Sequence, residues 1–424
     1  MKKYIAIVNP LSSGSELAPI FVKAGIGCLA ICSKKKGQSR YSGFASSIEK
    51  CNFEKIFEID ECPEGILEEK LEKNLAQYGL LGVIPGVESA VNLADKLNSN
   101  LVPERSNLIE LSAARTNKYL MQEALSRSGL PTIPTLAARE IGEVQSWINN
   151  NGLAQSELVF KPPASAGSDK VFFVKANQCW HGRFQEILGT PALLGNKKNN
   201  EVIVQKCVEG VEFAVDTVSA DGHHFLAHLI KYQKKELMDG RKIFDHTEFM
   251  SFVSSNHQEM LNYVFKTLDA LGIRWGAAHT EIMLTKEGPL LIESGARMCG
   301  GPVIEFARAA TGSSQVEKIF EVYSQGRVVH EDYKLDHTVV PVFISAGNSG
   351  RIENVEVLRE LKELSTHMAT HFWYRNGDSV RRTDDFNSVL GVVALKGNRM
   401  KVFQDYEKVR QVEAKLKIKA ENQS

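Results

Sequence analysis

The stretch from Trp275 to Gly301, WGAAHTEIMLTKEGPLLIESGARMCGG, constrains this chain more than any other. Its run His279 to Leu284 reads as a strand, Lys286-Glu287-Gly288 as a turn, and Pro289 to Glu293 as a return strand before a glycine-punctuated segment. That order predicts a β-hairpin. Side chains alternate along a strand, so Glu281 shares a face with His279 and Met283, and Glu293 closes the second strand. Pairing across the turn then sets two carboxylates side by side, where they repel and call for a cation. A hard divalent ion such as Mg²⁺ or Mn²⁺ takes one or two carboxylates together with waters and phosphate oxygens, so the pair is a candidate nucleotide-metal site. A solvated hairpin face is the plainer alternative. Arg297, four residues beyond Glu293, offers a planar fork of donors for a carboxylate, a phosphate or the oxyanion between them.

With 424 residues, 43% hydrophobic and 24% charged, the chain buries a sizeable core and divides into about two to four lobes. Lys+Arg and Asp+Glu each number 51. No net field therefore draws nucleic acid or an anionic membrane, and small molecules are the expected partners. The 7 cysteines, an odd number with no C-x-x-C pair, stand mostly in apolar runs, as reduced cytoplasmic thiols do. After Met1-Lys2-Lys3 the apolar run Tyr4 to Val8 stops at Asn9-Pro10, too short for a signal-peptide core, and no later run approaches a membrane span. A soluble, cytoplasmic protein is the expectation.

From the start of the chain, Lys3 to Val8 reads as a strand, Asn9 to Gly14 (NPLSSG) as a turn, Glu16 to Lys23 as a short helix and Gly27 to Cys32 as a second strand. Lys55 to Ile59 and Leu80 to Ile84 are strand-like, and Val87, Ala90, Val91, Ala94 and Leu97 recur at helical spacing after Pro85-Gly86. This βα alternation predicts a Rossmann-like open parallel sheet, whose ligand edge lies at the carboxyl ends of its strands. Glu88, in the first turn of the last helix, points into that crevice; a helix-start acid favoured by the dipole is an equal explanation. NPLSSG lacks the spacing of a phosphate cradle and is read only as a turn.

Thr116 to Ser128 is predicted to be a helix, stopped by Gly129 and Pro131. Lys118 sits in its first turn, where a cation opposes the dipole and an incoming phosphate would explain it. Ala138 to Asn150 reads as a helix, Leu158 to Lys161 as a strand, Pro162 to Asp169 (PPASAGSD) as a loop and Lys170 to Val174 as the return strand. A loop of small residues, with Ser165, Gly167 and Ser168 at its centre, lets backbone N–H groups approach phosphate oxygens and close over them. Arg183 to Asn200, broken by Gly189, Pro191 and Gly195, reads as a surface excursion. Strands follow at Glu201 to Lys206 and Val211 to Ser219, with Asp221-Gly222 as a hairpin turn. His246 is assigned to a loop within Gly240 to Met250. Helices are predicted over His257 to Ala270 and Val303 to Ala310. Strands at Val339 to Ser345, Asp378 to Arg381 and Val389 to Lys396 give a β-rich last lobe before the polar tail Glu421 to Ser424.

In order and rough spacing, Lys118, Lys161, the segment Gln205 to Glu212 and the ending Glu293-Ser294-Gly295-Ala296-Arg297 resemble the ATP-grasp superfamily. The family's terminal E-x-N-x-R is E-x-G-x-R here, and ESGARMCGG is similar to the carboxylate-amine ligase branch that contains bacterial L-amino-acid (dipeptide) ligases. The resemblance implies an α/β ATP-grasp fold (α+β lobes): a Rossmann-like domain over 1–112, a lid lobe with its preceding helix over 113–208, a large lobe with the metal hairpin over 209–330, and a C-terminal β-rich lobe over 331–424. It implies ATP with Mg²⁺ or Mn²⁺. Lys118 and Lys161 would take ATP phosphates, Gln205, Lys206 and Val208 would frame the adenine, Glu212 would bind the ribose, and Glu281 and Glu293 the metal. His246, Glu88, Arg297, Gly300 and Gly301 would line the substrate pocket, Gly301 leaving room for a carboxylate donor larger than alanine with its amino group near Glu88.

The implied reaction is amide formation through an acyl phosphate, releasing ADP and phosphate, with Arg297 and Lys161 as the catalytic side chains. No protein nucleophile is needed, in keeping with the absence of a G-x-S-x-G or Cys/His signature. A carboxylase-like or formate-using enzyme, a kinase-like enzyme and a non-catalytic nucleotide-binding protein are the alternatives. The substrates and the oligomeric state stay open, with a homodimer one candidate.

Overall fold

The computed structural model describes residues 2–33, 52–59, 66–193, 198–238, 240–252 and 254–420, and the polar tail at 421–424 lies outside them. Strands β1 (Lys3–Val8), β2 (Gly27–Ser33), β3 (Lys55–Ile59) and β4 (Gly79–Pro85) form a parallel sheet in the order β3-β2-β1-β4. The near-continuous apolar run of β1 is what a strand covered on both faces needs. Ile5 and Ile7 pack with Leu17 and Phe21 of helix α1 (Leu17–Lys23) on one face. Ala6 and Val8 pack on the other with Leu75 of α2 (Ile66–Leu75) and with Ala94 and Leu97 of α3 (Val91–Leu101). The carboxyl ends of β1 and β4 therefore carry NPLSSG and the Glu88 turn to the same edge.

Helix α4 (Lys118–Arg127) starts where the Asn117 side chain accepts hydrogen bonds from the Tyr119 and Leu120 amides. A smaller lobe follows, built from β5 (Thr135–Ala138), α5 (Ile141–Asn150), β6 (Leu158–Lys161), β7 (Phe172–Val174), α6 (His181–Ile187) and β8 (Val202–Lys206). Its antiparallel sheet runs β5-β8-β6-β7. The helix expected from Ala138 begins three residues later. Ala138 is fully buried at the end of β5, and Glu140 with Glu143 makes a capping box that starts α5.

The remaining elements are β9 (Val211–Ala220), β10 (His223–Glu236), β11 (Lys242–Phe249), α7 (Ser255–Ala270), β12 (Gly276–Thr285), β13 (Gly288–Gly295), α8 (Val303–Thr311), α9 (Gln315–Gln325), β14 (Thr338–Ile344), β15 (Gly350–Ile352), β16 (His367–Phe372), β17 (Ser379–Val380), β18 (Gly391–Gly397), α10 (Arg399–Glu413) and β19 (Ile418–Lys419). An eight-stranded antiparallel sheet runs β13-β12-β9-β10-β11-β14-β18-β16, so strands of the last hundred residues extend the sheet that holds the hairpin. Asp221 and Gly222, both at positive φ, make the tight turn between β9 and β10. Beyond the strands read from the sequence, the last hundred residues contain α10, whose Val402, Val409 and Val412 pack on Val342, Ile344 and Val393.

Candidate active site

Strands β12 and β13 pair antiparallel with Glu281 directly opposite Glu293, as the hairpin reading required. Lys118 reaches them from the first turn of α4. Its Nζ donates to Glu293 Oε1 at 2.8 Å and to the Ser165 carbonyl at 2.8 Å. Lys161, at the end of β6, is 5% exposed, and burial together with the nearby Lys118 cation pushes its pKa down to about 8. Burial opposes the charge on Glu281, but the His279 hydrogen bond and the charges of His279, Lys234 and Lys118 hold its pKa down to about 2. The hairpin carboxylates thus stand among buried cations.

Behind Glu281 lies a polar chain that the sequence reading did not assemble. His279 Nδ1 is 2.6 Å from Asp216 Oδ1, His228 Nδ1 is 3.2 Å from Asp216 Oδ2, and the Tyr232 hydroxyl is 3.4 Å from His279 Nε2. His279 Nε2 is 3.6 Å from Glu281 Oε1, and Cys299 adjoins His279 and Asp216, one ligating atom of each lying within 4.8 Å of the others. Burial works against a cationic His279, yet Cys299 and Asp216 raise its pKa well above the ordinary histidine value. The alternation that placed His279 on the Glu281 face was the available signal.

The PPASAGSD loop is tied down at several points. The Lys118 amide donates to the Pro163 carbonyl at 3.0 Å, the Ser165 hydroxyl to Asp169 Oδ2 at 2.9 Å, and the Phe386 amide, from the C-terminal lobe, to the Gly167 carbonyl at 3.1 Å. Gly167 and Ser168 have positive φ, so the chain turns sharply here. Gln205 is buried and donates to the Thr135 hydroxyl at 2.8 Å, while the Lys206 and Cys207 amides donate to the Pro134 and Glu157 carbonyls. Glu212 accepts two hydrogen bonds from Lys234, at 2.7 and 2.8 Å.

At the edge of the parallel sheet, Glu88 forms an ion pair with Arg297, Oε2 to Nε at 2.7 Å. Burial opposes the Arg297 charge, but Glu88 together with Cys299, Glu293 and Glu281 outweighs it and raises the guanidinium pKa. The NPLSSG turn belongs to this end as well. The Ser12 hydroxyl accepts from the Gly301 amide at 2.9 Å, and the buried Ser13 hydroxyl has no hydrogen-bond partner. Gly301 has φ +73° with nothing within 4 Å of the place a Cβ would take, so its backbone favours glycine although the space is open.

A single cavity of about 830 Å³ gathers Lys118, Lys161, Ser165, Gly167, Ser168, Gln205, Lys206, Val208, Glu212, Glu281, Glu293, Glu88, Arg297, Gly300 and Gly301. His246 is the exception. It lies in strand β11, not in a loop, bonded to Asp245 at 2.6 Å and packed edge-on against Tyr406 of α10. No alternation marks this strand, because the β10–β11 register shifts at a bulge beside Asp245. Residues of the cavity that the sequence reading missed include Ser12, Tyr232 and Lys234, the last two on one face of β10.

Known proteins resemble this chain in sequence and fold. The family model for the ATP-grasp domain matches residues 154–305. Dapdiamide A synthase of Enterobacter agglomerans is 30% identical over 421 residues, which is 97% of this chain and 96% of that protein. The chain belongs to the ATP-grasp ligases. The ligase is also 25% identical over 283 residues to the L-arginine-specific L-amino acid ligase of Bacillus subtilis, covering 64% of each. A crystal structure of the L-amino acid ligase from Bacillus licheniformis has the same fold, with a TM-score of 0.75 at 17% identity over 99% of both chains. The ATP-grasp fold and the carboxylate-amine ligase branch read from the motifs are both borne out. The ligase is an ADP-forming enzyme that makes an amide bond, and its family uses ATP with Mg²⁺. Among the described residues no helix is long and apolar enough to cross a membrane.

Proposed function

We propose that the ligase joins two amino acids or amino-acid-like molecules, activating the carboxylate of one as an acyl phosphate and releasing ADP and phosphate. The observation that carries this reading is the meeting of Glu281 and Glu293 with Lys118 and Lys161 on one cavity wall, a set that neutralises a polyphosphate and its counter-ion together. The two adjacent carboxylates offer hard oxygen donors, which suit Mg²⁺ or Mn²⁺ better than a softer metal. Bound there, the ion would draw charge from the phosphate oxygens.

The chain's own residues do the rest. Lys118 and Lys161 hold the phosphates, and the loop through Ser165, Gly167 and Ser168 covers them and excludes water. Gln205, Lys206 and Val208 frame the base, and Glu212, steadied by Lys234, meets the ribose. The donor carboxylate attacks the γ-phosphorus as the bond to ADP breaks, and the amine then displaces phosphate and loses a proton. Arg297 stabilises the acyl phosphate and the oxyanion that follows it. Tyr232, Phe244, Phe343 and Phe386 pack edge-to-face and line another wall, which supports an apolar side chain on one of the two substrates. With ATP as co-substrate and no charge suited to membranes, we place the reaction in the cytoplasm.

The test is incubation with ATP, Mg²⁺ and pooled amino acids, reading phosphate release and product masses. The reading expects phosphate release that needs both substrates, and a product lighter than their sum by one water. Release that depends on bicarbonate or formate, or a phosphate retained on the product, would overturn it.

A further inference from the structure

Gly295 is the point where the chain departs from E-x-N-x-R, and the structure gives the departure a physical reason. A Cβ built on Gly295 would stand 2.6 Å from Glu88 Oε2 and 3.4 Å from Arg297 Cζ. The first distance is closer than non-bonded atoms approach. Gly295 lies within β13, outside the positive-φ glycines, so its backbone does not need glycine. What needs glycine is the Glu88 carboxylate, which fills the space a side chain at 295 would take.

Glu88 comes from the parallel sheet, at the turn after β4, and is 7% exposed. Its Oε2 lies 2.7 Å from Arg297 Nε as an ion pair outside hydrogen-bond geometry, while Arg297 Nη1 donates to the Met298 carbonyl at 2.9 Å. The Glu88 charge and the Met298 carbonyl thus hold two sides of the guanidinium in place. The pairing also accounts for Glu88 differently from the expectation that it receives a substrate amino group.

We propose that Glu88 is a positioning residue for Arg297, and that position 295 is glycine in this chain to admit the Glu88 carboxylate. The role of Arg297 in the reaction rests on the ligase reading above; the pairing itself does not. The N-terminal sheet thereby takes part in the reaction through Arg297, without Glu88 touching the reacting atoms.

The test is a double-mutant cycle of Gly295→Ala and Glu88→Ala, with Glu88→Gln as the variant that keeps size and loses charge. Turnover, KM for ATP and melting temperature are measured for each, together with the rate at which phenylglyoxal modifies Arg297, read by peptide mass spectrometry. Each single change is expected to lower kcat by roughly ten- to hundredfold, the low end of what one close charge pair contributes, with KM for ATP near that of the wild type. In the Glu88→Ala background Gly295→Ala is expected to add no further loss. Arg297 should react faster with phenylglyoxal in all the variants. An equal loss from Gly295→Ala in both backgrounds, or an unchanged modification rate, would overturn the proposal. Faster modification in a protein whose wild type makes no amide would uphold the pairing and reject the ligase reading instead.

Discussion

Replacing Lys161 by arginine tests how the buried cations work, because the structure gives the lysine a pH signature that arginine lacks. Lys161 is 5% exposed, and burial with the Lys118 charge beside it brings its pKa from the usual 10.5 to about 8. That difference corresponds to about 3 kcal/mol of opposition to the charged form in the folded protein. The sign for activity and the sign for stability differ. Activity needs the cation, so kcat/KM for ATP, which reports the free enzyme, should fall as pH rises through about 8. One unit above that value about a tenth of the molecules keep the charge. Stability moves the other way, because between about 8 and 10.5 the unfolded chain holds a proton that the folded one has released, so this group's burden on the fold is relieved. Arginine stays charged throughout, so Lys161→Arg should flatten the alkaline limb of the profile whatever it does to the maximum. The assay is coupled ADP release at limiting ATP from pH 6 to about pH 10, over a range that brackets this pKa. An alkaline limb unchanged in Lys161→Arg, or a wild-type profile flat past the expected fall, would refute the reasoning.

Three further outcomes are expected. Glu293→Gln should keep the fold, since Gln can still accept from Lys118, and lose most turnover; unchanged phosphate release would end the metal-site reading. Arg297→Ala should lower kcat by roughly 10²–10³, the scale of one oxyanion donor, with ATP affinity nearly intact by equilibrium titration. The opposite pattern, lost ATP binding with turnover kept at saturation, would make Arg297 a nucleotide ligand. Gly301→Trp combines two effects: the left-handed backbone at φ +73° should cost the fold about 1–2 kcal/mol whatever the substrate, and the ring should exclude bulky carboxylate donors. A size series of donors separates them, and a loss equal for small and large donors would show that only the backbone matters.

How much was legible in the sequence follows from how local each signal is. The hairpin at β12 and β13 was readable because turn residues and alternation set its register, so Glu281 opposite Glu293 came from a few adjacent residues. Lys118, Lys161 and the loop between β6 and β7 were readable in the same way, each beside a strand or helix boundary. The Glu88–Arg297 pair was not, because it joins two separate sheets through a vacancy at Gly295 that only the folded chain displays. The Asp216, His279 and His228 chain likewise crosses three strands whose pairing no single segment specifies. His246 was misplaced because its strand is set by pairing to β10 along most of its length and to β14 at His246, opposite Val342, not by its own sequence pattern. Helix α10 went unread because its apolar residues are sparse among charges and are recognisable only from the sheet they cover.

The central claim, that a substrate carboxylate is activated by phosphorylation within this cavity, is tested most directly by isotope transfer. A carboxylate donor labelled with ¹⁸O in its carboxyl group is turned over with ATP, Mg²⁺ and the amine, and the released phosphate is analysed by mass spectrometry. An acyl phosphate requires one labelled oxygen to leave the donor and appear in phosphate, with ADP as the nucleotide product. Unlabelled phosphate, or label carried off in AMP, would contradict the account.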